Sequence, residues 1–278
     1  AKVPFFMSPA YIKPRSERYV LVPNPDRSGT STLRVLNAVV SETDTEYSLE
    51  RYNEMKEIMN SSSYFADHTG AGSIWQRSAK DKDVFKVTVI AKLLMLGTLK
   101  FATLDPQGMG IEMEGGKPGW NDALNGLPGL LGSGMPETYE CLRLIRYLRS
   151  SLQAYAVPHG SNGDSRPVVV PVEFHEFLDT IKGALTVYYS SDQKYDADIE
   201  YWTAASNARE QYREAILITY SGDTHDISSS DLIELLTTIE KKLNQGVTKA
   251  LSTEKSTSGL TPTYFWYECT KYKERPTR

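Results

Sequence analysis

Between residues 136 and 243 apolar side chains recur three and four positions apart, the spacing that lines one face of an α-helix. The stretch PETYECLRLIRYLRSSL puts Leu142, Ile145, Leu148 and Leu152 on one stripe, with Pro136 at an early helical position and acids in the first turn. Phe174, Phe177, Leu178, Ile181 and Leu185 mark a second helix. Ile199, Trp202, Ala205, Ala208, Arg209, Tyr212 and Ile216 mark a third, longer one. A fourth carries Leu235, Leu236, Ile239 and Leu243, and Asp231 and Glu234 have the spacing of a capping box before it. Upstream, VFKVTVIAKLLMLGTLKFAT from Val84 is apolar on nearly every face. That pattern predicts a helix buried on all sides, although its β-branched start also suits a strand.

The first 83 residues read differently. Tyr19 to Val22 and Leu33 to Val40 are short β-rich runs separated by turn-forming Pro, Asn, Asp and Gly. Leu49, Tyr52, Met55, Ile58 and Met59 recur at helical spacing and predict a short helix. The tail TPTYFWYECTKY is aromatic and β-prone. The expected organisation is therefore a mixed segment with short strands over 1–83, then a helical domain over 84–278. Long helices joined by short to medium connections suggest stacked helical hairpins, and no fixed-period repeat points to a named solenoid. The expected fold class is mainly α, with the helical hairpins of an (α/α) toroid. A complete toroid of twelve helices, at ~18 residues each with ~6-residue connections, needs roughly 290 residues. With the first 83 residues mostly outside helices, the chain is expected to be about half of such a barrel: a fragment, one chain of a split enzyme completed by another chain, or a truncated relative.

Composition narrows the setting. A chain of 278 residues, 40% apolar and 24% charged, can bury a sizeable core. The formal net charge of -4, without a Lys/Arg block, argues against nucleic acid or an anionic membrane as the main partner. No apolar run has the length of a membrane span, and prolines and charges break the first residues too early for a signal-peptide core. Cys141 and Cys269 each sit in apolar surroundings, which suits buried thiols in a reducing compartment; the expected location is the cytoplasm.

One segment carries candidate chemistry. GIEMEGGKPGWNDALNGLPGLLGSGMPET, residues 110–138, crowds glycines, prolines and acids around Trp120. Turn chemistry alone would account for its composition. It also holds what sugar chemistry requires: a carboxylic acid to protonate a departing glycosidic oxygen, acids or amides to hold ring hydroxyls, and an aromatic face for a pyranose. Desolvation beside Trp120 and the like charge of neighbouring carboxylates would keep such an acid protonated near neutral pH.

The segment GWNDALNGLPG resembles the acid loop of the inverting glycoside phosphorylases related to cellobiose phosphorylase, with matches at Trp120, Asn121 and Asp122. The similarity is strongest over residues 84–149. It implies a toroid of helical hairpins, Asp122 as general acid, Trp120 and Asn121 lining the sugar site, and inorganic phosphate as attacking co-substrate with no cofactor or metal. Gly119 stands where cellobiose phosphorylase has an aspartate, so the sugar contact of that acid is either missing or supplied by Glu112 or Glu114. Glu112, Glu114, Lys117 and Asn125 are further substrate-binding candidates by their place in the loop. The substrate implied is a β-glucoside, as a disaccharide or oligosaccharide. Two alternatives stay open: an inverting glycoside hydrolase with water in place of phosphate, and a non-catalytic carbohydrate-binding or assembly subunit.

Other signals are weaker. HEFLD begins like a zinc-protease helix, but Asp179 stands where the second histidine would be, one turn after His175. SDQK, Ser191 to Lys194, has a bare Ser-x-x-Lys spacing without companion motifs. HTGAGS and HGSNGDSR, with Arg77 and Arg166 nearby, lack the ending of a P-loop and read as turns. In YFWYE, alternation would put Tyr264, Trp266 and Glu268 on one strand face, with burial in a core the preferred reading.

Overall fold

The computed structural model describes residues 2–4, 6–7, 17–22, 35–40, 74–112, 132–155, 167–191, 194–216, 219–253 and 259–266. Four short strands open the chain: β1 (Lys2–Pro4), β2 (Phe6–Met7), β3 (Glu17–Val22) and β4 (Val35–Val40). β3 and β4 pair antiparallel across the turn-rich stretch between them, at the two runs that composition marks as β-prone. β2 pairs with β5 (Ile74–Trp75), and β1 with β6 (Lys86–Thr88). The short helix expected around residues 49–59 lies outside the described residues, as do HTGAGS and HGSNGDSR.

Five helices make up most of the described chain: α1 (Val89–Phe101), α2 (Met135–Tyr155), α3 (Val172–Ser190), α4 (Lys194–Ala215) and α5 (Ser229–Thr253). The apolar stripes read from the sequence are the faces they bury. Ile145, Leu148 and Leu152 of α2, Phe174, Ile181 and Leu185 of α3, and Leu236, Ile239 and Leu243 of α5 all meet in one core. Consecutive α3 and α4 pack on each other as a hairpin, while α2 lies against both α1 and α5. The protein is thus mainly helical with a few small sheets; no closed barrel is seen among the described residues.

Three expectations are corrected. Residues 84–88 are extended rather than helical: β-branched Val87 and Thr88 complete β6, and Thr88 then caps α1 by accepting from the Ala91 amide at 3.3 Å. Nor is α1 buried on all sides, because Val89 and Leu96 are 44% and 47% exposed. Finally, α5 starts before Asp231. The Ser228 hydroxyl accepts from the Asp231 amide at 3.0 Å, so Ser228 is the cap and Asp231 lies in the first turn, where its charge suits the helix dipole.

Two further sheets brace the helices. β9 (Val168–Pro171) runs straight into α3 and pairs antiparallel with β10 (Thr224–Ile227); Val168 and Val170 face the core while Val169 faces out. The other sheet, of order β11-β8-β7, comprises β7 (Ile111–Glu112), β8 (Gly132–Gly134) and β11 (Tyr264–Trp266). The aromatic tail thus forms a strand on β8, and Phe265 packs against the cluster of Met109, Met135 and Ala250.

Gly183 on α3 offers a clean test of helix propensity. An added Cβ there meets nothing within 4 Å, so Gly183→Ala should stabilise the protein by about 0.5–1 kcal/mol through lost unfolded-state freedom. Chemical denaturation would measure it.

Candidate functional site

Asp122, Trp120, Asn121, Glu114, Lys117 and Asn125 lie outside the described residues; of the expected site residues, Glu112 is described. What the structure does define is the platform at both ends of the segment 113–131, namely β7 at its start and β8 at its end. These strands pair antiparallel, with Glu112 opposite Ser133 and Ile111 opposite Gly134.

A buried carboxylate organises that platform. Asp105 is 2% exposed and accepts four hydrogen bonds. Its Oδ1 takes the amides of Gln107 (2.9 Å) and Met109 (3.0 Å). Its Oδ2 takes the Gly110 amide (3.0 Å) and the Ser133 hydroxyl (2.7 Å). The turn over residues 105–110 is therefore wound around one charge, and the same charge holds β8 beside it. Close approach dictates two glycines here. A Cβ on Gly110 would collide with the Ser133 side chain, and Gly108 has φ +69°, a conformation that favours glycine. The Thr138 hydroxyl ties α2 to the turn through the Met109 carbonyl at 2.9 Å.

Glu112, 4% exposed, points into the protein. The Trp202 indole N–H donates to its Oε1 at 2.7 Å, and the Arg209 Nη1 lies 3.6 Å from its Oε2. Arg209 also donates to the Ala102 carbonyl at 3.1 Å, where a cation suits the C-terminal end of α1. Trp202 and Arg209 project from the face of α4 that reads as apolar in sequence. A buried arginine on such a stripe was the available signal that a carboxylate would meet it.

Against the turn itself, α5 presents Lys242, Gly246 and Lys249. Lys242 is 2% exposed; its Nζ lies 3.3 Å from Asp198 Oδ1 and over the rings of Tyr188 (3.5 Å) and Tyr201 (4.5 Å). Lys249 donates to Asp198 Oδ2 at 2.9 Å and to the Gln107 carbonyl at 3.2 Å. Burial pushes the Lys242 ammonium down to about 8, against the attraction of Asp198 and Asp105 and with the help of Lys249. A lysine lowered in the folded state carries its burial cost in full below that value. The cost is relieved as pH rises from about 8 toward 10.5, so this group alone makes the fold more stable with rising pH. Burial likewise pushes the Cys141 thiol up to about 12, with the Lys100 charge opposing the rise. Cys141 is an unpaired, buried thiol, and such a group is a weak nucleophile.

The remaining signals fall elsewhere. His175 has Asp179 at 3.6 Å and lies against His225 of β10, with ring centroids 3.6 Å apart and the rings tilted by 31°. They line a cleft of about 120 Å3 with Lys182 and Asp231, and Glu112, the described site residue, does not border it. Among the described residues, no group of three or more His, Cys, Asp or Glu is arranged to hold a metal ion, and no helix is long and apolar enough to cross a membrane. Ser191 ends α3 in extended conformation, and Lys194 begins α4. Arg77 donates to the Lys82 carbonyl at 2.8 Å. Neither a protein-family model nor a curated protein matches the chain.

Proposed function

We propose that the chain is part of a carbohydrate-active enzyme whose acid is Asp122, carried on the segment between β7 and β8. The observation that supports this most is the platform: one buried carboxylate, Asp105, fixes the turn leading into β7 and the Ser133 of β8, so both ends of the segment are held by the same charge. A catalytic loop needs fixed ends, because a proton donor must lie within hydrogen-bond reach of the leaving oxygen. Glu112, the last residue of β7, is anchored by Trp202 with Arg209 beside them.

In this reading the bond between the anomeric carbon and the glycosidic oxygen breaks as Asp122 gives its proton to that oxygen. A phosphate oxygen attacks the anomeric carbon from the opposite face, inverting its configuration and leaving a sugar 1-phosphate. Trp120 offers its face to the ring, and Asn121, with Glu114, Lys117 and Asn125, serves the hydroxyls. The helical hairpins belong, in the same reading, to an (α/α) toroid completed by another chain.

The test is direct. The purified chain is incubated with β-linked gluco-oligosaccharides, with and without phosphate, and sugar 1-phosphate is followed. Product that requires phosphate and is lost in Asp122→Asn supports the reading. Free sugar formed without phosphate would assign a hydrolase instead. Oligosaccharide binding that persists in Asp122→Asn, with no product at any phosphate concentration, would assign a binding subunit.

A further inference from the structure

Lys242 occupies a position where a hydrophobic side chain would be expected. It continues the core stripe of Leu232, Leu235, Leu236, Ile239 and Leu243, and it is buried like them. A methionine would fill comparable space without the cost of desolvating an ammonium, and buried ion pairs are often no better for stability than apolar replacements. What the charge adds is direction. Lys242 and Lys249, two turns apart on α5, grip the two oxygens of Asp198 on α4. Between them Gly246 lies flat against the Gly108 carbonyl, and Lys249 takes the Gln107 carbonyl. The Lys242 Nζ itself sits so close to Gly108 that a Cβ on that glycine would stand 3.3 Å from it.

We propose that Lys242 is a positioning residue: acting through Asp198 and the backbone of Gly108, it sets the 105–110 turn to which both ends of the Asp122 segment are tied. The role of that segment rests on the proposed function above; the setting of the turn does not. The charged and titratable groups facing Lys242 are Tyr188 from α3, Asp198 and Tyr201 from α4, Lys249 from α5 and Asp105 from the turn. When Lys242 loses its proton, its attraction to Asp198, Asp105 and both rings is lost, and of the two α5 lysines only Lys249 keeps its charged grip on Asp198 and the Gln107 carbonyl.

The experiment is amide hydrogen exchange on the full chain between pH 7 and 9, corrected for intrinsic exchange, read at Gln107, Met109 and Gly110. Global stability rises with pH as the burial cost of Lys242 is relieved, but a local opening of the turn leaves Lys242 buried and breaks only its attraction to Asp198 and Asp105, so in the wild type protection of these amides should fall by about tenfold over that interval. Lys242→Met should show protection that does not vary with pH. Lys92 of α1 is also lowered, to about 8, by burial, but it is present in both proteins and so cannot account for a difference between them. Wild-type protection that is flat with pH overturns the proposal, as does an equal fall in Lys242→Met. If that variant does not fold, Lys242→Gln is read in its place, and a flat wild-type series overturns the proposal by itself. Where sugar 1-phosphate is formed, its rate should fall through the same pH range in the wild type and lose that dependence in Lys242→Met. A rate profile unchanged by the substitution overturns the positioning role, whereas no product at any pH would remove the reading of the segment and leave the exchange result standing.

Discussion

Asp105→Ala is expected to lower the unfolding free energy by about 4 kcal/mol or more, and Asp105→Asn by about 2–3 kcal/mol. The carboxylate accepts three amides and one hydroxyl in a buried site, and alanine leaves all four donors without it. Each buried donor so stranded costs about 1–3 kcal/mol unless water replaces the acceptor. Asparagine keeps the shape but supplies one oxygen. Its NH2 then faces either the Gln107 and Met109 amides, or the Gly110 amide and the Ser133 hydroxyl. In both orientations at least one backbone N–H meets another donor, which makes the isosteric change costly. Urea unfolding of the three proteins would measure the series. An Asp105→Asn variant within about 0.5 kcal/mol of wild type would show that the carboxylate does not organise the turn.

Gly246→Ala is the second large expectation, a loss of about 2–3 kcal/mol. A methyl group there would lie far inside van der Waals distance of the Gly108 carbonyl oxygen and 3.1 Å from its carbon. Both are backbone atoms, so no rotamer change relieves the clash; α5 or the turn must move. Movement is resisted because Lys249 holds the Gln107 carbonyl and Met109 packs on Ala250 from the same helix. The contrast with Gly183→Ala separates sterics from propensity. Each substitution places alanine inside a long helix, one against a backbone carbonyl and the other against open space, and the expected effects have opposite sign. A Gly246→Ala protein as stable as wild type would mean that α5 does not seat the turn.

These two residues also mark how far sequence reasoning reached. The stripes of α2, α3 and α5 were legible because burial of one helix face requires a three-to-four-residue period, whatever the face packs against. Phe174, Ile181 and Leu185 are buried as that period demands. Start signals were less secure. Ser228, rather than Asp231, caps α5, since several polar residues in a row offer equivalent hydroxyls and carboxylates and only backbone geometry chooses among them. The run from Val84 was misread at its beginning for a related reason: an apolar run has no period to distinguish strand from helix, and β1 pairing with β6 settles the matter from the far end of the chain.

The platform was beyond periodicity altogether. Glu112 was singled out for its place beside Trp120, yet its described partners are Trp202 and Arg209, with the indole 90 residues away in sequence. Asp105 drew no attention, because an aspartate before proline and glycine reads as an ordinary turn residue until Ser133 is brought to it. Lys242 was likewise not singled out.

Sequence alone pointed to long amphipathic helices with buried apolar faces and a β-prone aromatic tail, and it concentrates acids, glycines and a tryptophan in the segment before α2. Only the tertiary structure decided what holds that segment at its ends: a carboxylate shared between a turn and β8, a glutamate lying against an indole and a guanidinium, and a lysine set where apolar residues belong. The physical reason is that hydrophobic burial is roughly proportional to area and indifferent to partner, so its period survives in one dimension. Hydrogen bonds and ion pairs depend on distance and direction between residues far apart in the chain, and those are set only once the helices have packed.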